Sequence, residues 1–406
     1  MTAQTHFHNG PQDYPQPDWN NYRVRAVTTD ARPWPPAPAD IKSILIIKLD
    51  AMGDYLLHTP FYASLRKFYP QAKITLLCNK NNLNLAEHNP AFDYVITPPY
   101  EPGYDQAQSF LYAIELQAHA AAPFDLIIVP RWTEDWHHAG VITQVLDAPY
   151  RLSYSGNTNA YKAQHFPQHE DFFTHVIDDA RPAHEVWRGM QILHALGMKI
   201  PPVADIKQEF HFTAEDENKI KTLLAVKHYP RPWFVFGVGA SADHKRWPAE
   251  HFAELAHLLQ DRHGGTIFML GHGKKDELAA ETILAAVPQA VNFVDQLTPR
   301  ESGVFARACD IMVCNDSFAL HAAATAGTPA VEITGHPANG DKDSEYLPWR
   351  FGPWGIPFAW LQPETCHHSG RMLADFRLDP KCIGDIPASD VCNAVTQGLH
   401  RWPKSH

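Results

Sequence analysis

Three short stretches between residues 233 and 335 combine residue types suited to holding a phosphate. The first is a loop of small residues that ends in a cation: Gly237, Gly239, Ala240, Ser241 and then Lys245. It follows an apolar run over 233–236 and precedes a segment in which Phe252, Leu255, Ala256 and Leu259 recur at helical spacing. Pro248 suits the first helical position, and Gly264 and Gly265 end the helix. A small-residue loop between strand and helix exposes backbone N–H groups, and the helix end adds partial positive charge. Lys245 adds a mobile full charge. The plainer alternative is an ordinary strand–helix turn with a solvated lysine. The second stretch is a helix start at Asp316 and Ser317, and the third is His321, one helical turn on. Alone, Asp316 reads as an N-cap and His321 as a packed histidine on an Ala-rich helix.

Two carboxylates follow an earlier apolar run, Asp50 and Asp54 in SILIIKLDAMGD. Either could take a proton or cap a helix. His184, Glu185 and Arg188 open another helix, where they could touch a ligand or form surface pairs.

The elements that position these residues alternate. Buried strands are expected over 43–49, 73–78, 94–97, 125–130 and 151–156, with helices between them. A segment KIPPVAD, where the proline pair forbids helix, reads as a linker. The alternation then resumes with strands over 233–237, 266–270, 291–294, 311–314 and 330–334. Thr298, Pro299 and Glu301 form a capping box before the helix that carries Val304, Phe305 and Ala308. This pattern predicts an α/β protein with two doubly wound parallel sheets. Ligands of such sheets lie outside the carboxyl ends of the strands. Asp54, the Lys245 loop and Asp316 all follow strands, so two facing sheets would bring them to one cleft. The expected boundaries are a Pro-rich, mostly irregular N-terminal arm over 1–40, one Rossmann-like domain over 41–200, a second over 201–375 and a closing helix over 376–406. The arm carries Trp19, Tyr22 and Trp34, which also suit a wrapping contact. Residues 336–365 read as aromatic loop.

Composition narrows the function. The 34 Lys and Arg against 45 Asp and Glu give a net charge of −11 over 406 residues, which argues against a broad nucleic-acid surface. No apolar run approaches the roughly 20 residues of a membrane span. The N-terminus has neither the basic start nor the apolar core of a signal peptide. Six scattered cysteines suit reduced thiols in a cytosol.

The motifs KLDAMGDYLLHTPFYASLRKFYPQAKITLL, GASADHKRWPAEHFAELA, FMLGHGKKDE and CNDSFALHAAATAGTPAVEITG, in that order and spacing, resemble glycosyltransferase family 9, the ADP-heptose:lipopolysaccharide heptosyltransferases. The resemblance runs over roughly residues 42–400. It implies the GT-B fold, two Rossmann-like domains facing across a cleft, and inverting transfer of a sugar from a nucleotide diphosphate to an acceptor hydroxyl. By position it makes Asp54 the general base. Gly239, Ala240, Ser241 and Lys245 fall at the donor diphosphate, and Asp316, Ser317 and His321 at the family's D-[TS]-G-x-x-H helix start. Leu297 falls beside the adenine and either Asp276 or Glu277 at the ribose. The implied donor is ADP-heptose, with no obligatory cofactor. The implied acceptor is lipopolysaccharide core or another glycan, lipid-linked or not. The setting is cytoplasmic, with at most peripheral contact at the inner membrane face.

Two departures stand out. Phe318 occupies the position where the family has Gly, which bears on donor identity. The tail lacks a CxxC; in the autotransporter heptosyltransferases of the family a cysteine set in this region binds iron. Cys366, His367, Cys382 and Cys392 are the residues that could hold a metal here. Other readings are a family member using another nucleotide sugar or a protein acceptor, a GT-B-like nucleotide-sugar 2-epimerase, and a catalytically silent assembly partner.

Overall fold

The computed structural model describes residues 3–100, 105–119, 122–340, 347–364 and 381–404. It divides into two compact units, 15–206 and 1–14 with 207–406. Each is built on a seven-stranded sheet.

In the first unit the strands are β2 (Arg23–Ala26), β3 (Ser43–Lys48), β4 (Lys73–Cys78), β5 (Tyr94–Ile96), β6 (Leu126–Ile128), β7 (Tyr150–Tyr154) and β8 (His175–Asp178). Their order is β2-β8-β7-β6-β3-β4-β5, with β2 antiparallel to β8 and every other neighbour parallel. Strand β3 lies centrally because SILIIK is apolar on both faces; Ile44, Leu45 and Ile46 are fully buried. One face packs Leu45, Ile47, Ile127 and Val129 against Ala139 and Ile142 of the helix Ala139–Leu146.

The second unit holds β1 (Ala3–His8), β9 (Trp233–Gly237), β10 (Thr266–Leu270), β11 (Val291–Asn292), β12 (Ile311–Asn315), β13 (Ala330–Ile333) and β14 (Phe358–Pro363). Their order is β1-β14-β13-β12-β9-β10-β11. Only β1 runs antiparallel to its neighbour, pairing Ala3 with Pro363 through His8 with Phe358. One face of this sheet buries Phe234, Phe236, Ile267, Val313, Val331 and Ile333 against the helices Ala249–His263, Lys274–Ala286 and Ala388–Arg401. The apolar spacing of Phe252, Leu255, Ala256 and Leu259 gives the first of these its buried face.

Several elements differ from the sequence expectation. The arm over 1–40 is irregular over most of its length, as expected, but it supplies an edge strand to each sheet, β1 and β2. Strand β14 lies inside the stretch read as aromatic loop, and β8 follows the short helices after β7. β2 and β8 have four residues each, and β1 and β14 mix His, Gln or Pro with their apolar residues, so local pattern gives little strand signal and sheet pairing decides. The helix Thr59–Phe68 begins at Thr59, whose hydroxyl donates to the Leu56 carbonyl at 2.8 Å. Pro248 is the N-cap, one residue before the helix it precedes. In the tail, the helix Ala388–Arg401 follows a single turn at Lys381–Gly384.

Candidate functional site

The second unit concentrates its polar side chains at the carboxyl ends of β9, β10 and β12. Strand β9 ends at Gly237, where a Cβ would lie 2.5 Å from the Ala319 Cβ and 2.8 Å from the Cys314 Cβ. Glycine there lets the helix Phe318–Ala326 close over the strand ends. Two residues on, a Cβ on Gly239 would meet the Asp276 carboxylate at 2.4 Å, so that position also demands glycine.

The loop beyond is pinned from beneath by residues the sequence reading passed over. Asn315, fully buried at the end of β12, donates its amide to the carbonyls of Val238 (3.2 Å) and Gly239 (3.1 Å) and accepts from the Trp247 N–H (3.0 Å). Arg246 donates to the carbonyls of Val238 (3.2 Å) and Ala240 (3.0 Å) and pairs with Asp276 at 2.5 Å. Trp247 is buried and donates its indole N–H to the Ile386 carbonyl. The run CNDS and the sequence KRWP contained these residues, but a buried Asn and a loop-stapling Arg carry no pattern of their own.

With the loop fixed, Ser241 stands exposed at its crest, and Lys245 reaches Asp316 with Nζ 2.6 Å from Oδ2. The Lys245 and Asp316 side chains retain about a third and a quarter of their exposure, so the pair is open to solvent on one side. Asp316 is not an N-cap. The cap position is Ser317, which makes no side-chain capping bond, while the Asp316 carboxylate faces the lysine. Burial pushes the Asp316 pKa up, but the Lys245 ammonium outweighs it and holds the carboxyl below the usual range. His321 is buried, chiefly for which reason its pKa falls to about 4, so it is neutral at neutral pH. Its Nδ1 has no hydrogen-bond partner among the described residues. Phe318 opens the helix and is partly exposed.

Asp276 and Glu277 separate clearly. Asp276 is buried; beyond the Arg246 pair it accepts the His272 N–H at 2.8 Å. Glu277 has a side chain 44% exposed and pairs with Lys274 at 3.3 Å and with the Asp295 side chain. Leu297 is partly exposed, just before the capping box in which Thr298 and Glu301 exchange hydrogen bonds.

In the first unit, Asp54 lies in the first turn of the helix Met52–Leu57 beyond β3 and is partly exposed; the N-cap there is Ala51. Asp50 is buried and committed to ion pairs, with Lys48 at 2.6 Å and with Arg131. The surface pairing open to His184, Glu185 and Arg188 does not occur, because all three are buried. His184 caps the helix Glu185–Ala195 by accepting the Val186 N–H. Arg188 lies over the Trp132 ring at 4.7 Å and bonds Gln191 at 3.0 Å.

Of the cysteines singled out for metal, Cys382 and Cys392 are buried, and burial raises the Cys392 thiol. Cys366 and His367 lie outside the described residues. Among the described residues no group of three or more His, Cys, Asp or Glu is arranged to hold a metal. No helix there is long and apolar enough to cross a membrane.

Residues 121–340 match the model of glycosyltransferase family 9 (heptosyltransferase). Lipopolysaccharide heptosyltransferase 3 of Escherichia coli is 23% identical over 356 residues, spanning 86% of this chain and 96% of that protein. Over a shorter 111-residue stretch, lipopolysaccharide heptosyltransferase 2 of E. coli K12 is 36% identical, covering 26% of this chain and 31% of that protein. Among solved structures, the glycosyl transferase family 9 protein of Veillonella parvula superposes with a TM-score of 0.70 at 20% identity, over 89% of this chain and 98% of its own. ADP-heptose lps heptosyltransferase II of E. coli superposes with a TM-score of 0.61 at 18% identity, over 88% of this chain and 99% of its own.

Proposed function

The chain belongs to glycosyltransferase family 9, and on that basis we propose that it transfers a heptose from ADP-heptose to a hydroxyl of a lipopolysaccharide core, with inversion at the sugar. The observation that carries the reading is the loop pinned by Asn315 and Arg246, which holds Lys245 beside Asp316 at the opening of a helix. The heptose and the lipopolysaccharide acceptor are supported by the names of the relatives that match along most of the chain.

In this reading the leaving group is a diphosphate, and its growing negative charge requires donors already aimed at it. Lys245 supplies a full charge. The backbone N–H groups of 239–241 and the first turn of the helix Phe318–Ala326 supply fixed dipoles. The diphosphate competes with Asp316 for Lys245, so the ion pair is the resting partner that the nucleotide displaces. His321, neutral at neutral pH, offers a ring nitrogen to the same end of the helix. Glu277, the more exposed of the two acidic candidates, takes the ribose hydroxyls, and Leu297 packs on the adenine. Asp54 accepts the proton of the acceptor hydroxyl as that oxygen attacks the anomeric carbon and the ADP oxygen departs. We assign the step to the cytoplasmic side, with the enzyme meeting its acceptor at the membrane surface.

Thermal stability against ADP, UDP, GDP and their sugars tests the donor. A ligand at about 100 times its Kd adds roughly 2.7 kcal/mol, a plainly visible shift. Stabilisation by ADP and ADP-heptose alone is expected; stabilisation by UDP species instead contradicts the donor assignment.

A further inference from the structure

Behind the Lys245–Asp316 pair lies a carboxyl group with no role in the mechanism above. Glu332 is on β13 and 1% exposed. Its neighbours Val331 and Ile333 point into the apolar core, so Glu332 points to the other face of the sheet. Across that face it is paired in register with Cys314 on β12 and with Trp360 on β14. Asp316 is two residues beyond Cys314, the diagonal neighbour of Glu332. Glu332 Oε2, Trp360 Nε1 and His321 Nδ1 have no hydrogen-bond partner among the described residues. A glutamate in the middle of a parallel strand, half unsatisfied, is costly to keep for packing alone, since a neutral apolar residue fits a buried strand better.

We propose that Glu332 is a positioning residue acting through Asp316: from beneath the ion pair it sets how tightly Lys245 is held and so how readily that lysine turns to a nucleotide's diphosphate. The inference rests on the donor-site reading given above.

The physical argument is charge. Burial first, then the nearby Asp316 carboxylate, push the Glu332 pKa well above the ordinary range, while Lys245 pulls the other way. Asp316 keeps its charge because the lysine touches it. Two neighbouring carboxyls are thus pushed apart, Asp316 toward its charged form and Glu332 toward its neutral one. While Glu332 holds its proton, Lys245 balances a single carboxylate and exchanges it for phosphate. Once that proton leaves, a second negative charge holds the lysine and repels the diphosphate. The other titratable groups around Glu332 are Cys314 on β12, Tyr14, His6 and His8 on β1, and His321 on the helix. The Tyr14 phenol is pushed up by burial and then by Glu332, the Cys314 thiol by burial and then by Glu332 and Asp316, and burial lowers His6, His8 and His321.

The test is ADP affinity by calorimetry across neutral to alkaline pH, for the wild type, Glu332→Gln and Lys245→Met. With the wild type, affinity is expected to fall as pH rises through the loss of the Glu332 proton, at the limit by about tenfold per pH unit for one coupled proton. Glu332→Gln, which cannot ionise, is expected to lose the fall with rising pH. Glu332→Leu also cannot ionise and serves the same comparison should the glutamine variant not fold. Identical pH profiles in the wild type and either variant overturn the inference. ADP affinity unchanged in Lys245→Met, or no ADP binding at any pH, overturns the donor-site reading itself and the inference with it.

Discussion

At the scale of single residues, the structure separates neighbouring acidic groups by burial and partners. Asp50 and Asp54 both follow β3, but Asp50 is locked between Lys48 and Arg131, and only Asp54 keeps solvent contact. A general base must be reachable and need not stabilise the fold, so Asp54→Asn is expected to cut turnover by about 10²–10⁴ while leaving ADP affinity unchanged, as rate and calorimetry together would read. Lys245→Met should instead raise the ADP Kd, since losing a charge-assisted contact costs about 1.5–3 kcal/mol, roughly ten- to hundredfold. The same logic separates Asp276 from Glu277. Asp276 is buried and clamped by Arg246 and the His272 N–H, whereas the Glu277 side chain is the more exposed, which is why the proposed ribose contact is given to Glu277. Asp50 shows why burial was not legible there: its pairing with Arg131, far along the chain, leaves no local trace.

At the scale of elements, the loop over 238–247 matters more than any one side chain on it. Asn315 closes three hydrogen bonds within it, and its loss would orphan buried backbone groups of Val238, Gly239 and Trp247. Asn315→Ala is therefore expected to destabilise the second unit by about 2–4 kcal/mol in chemical denaturation and to weaken ADP binding. The alternation of strands and helices was legible because β3, β4, β9, β10 and β12 are apolar runs bounded by small or polar residues. The capping box at Thr298 was legible because its signal is local. Strands β1 and β2 were not, because their partners lie far along the chain: His8 finds Phe358, and Arg23 finds Asp178; nor were β8 and β14, the strands they pair with. The candidate site was legible at its glycines, Lys245 and the Asp316 turn. Its supports, Asn315, Arg246 and Glu332, became visible only with the fold, because a buried polar residue is defined by what surrounds it.

At the scale of the whole molecule, the N-terminal segment ties into both units, with β1 completing the second sheet and β2 the first. Tyr14 stacks on Trp354 at 5.9 Å and donates to the Pro353 carbonyl, extending the anchorage of β1. Removing residues 1–14 should speed hydrogen exchange in β13 and β14 and leave β3, β4 and β6 protected; uniform protection would contradict that anchoring. Acid should act on both units. His321 is lowered to about 4 and His58 and His169 to about 3, mainly by burial, against an ordinary 6.5. Folded chains then bind fewer protons than unfolded ones below pH 6.5, so stability is expected to fall as pH drops from there toward 4, before the carboxylates protonate. A denaturation midpoint that is flat across that window would contradict it. The central claim is a sugar transfer that uses Asp54, and its most direct test is ADP release from ADP-heptose in the presence of a heptose-deficient lipopolysaccharide core. The wild type is expected to release ADP only when the acceptor is present, and folded Asp54→Asn is expected to lose that release while binding ADP normally. Undiminished release by Asp54→Asn, or no release from ADP-heptose by the wild type, would contradict the account.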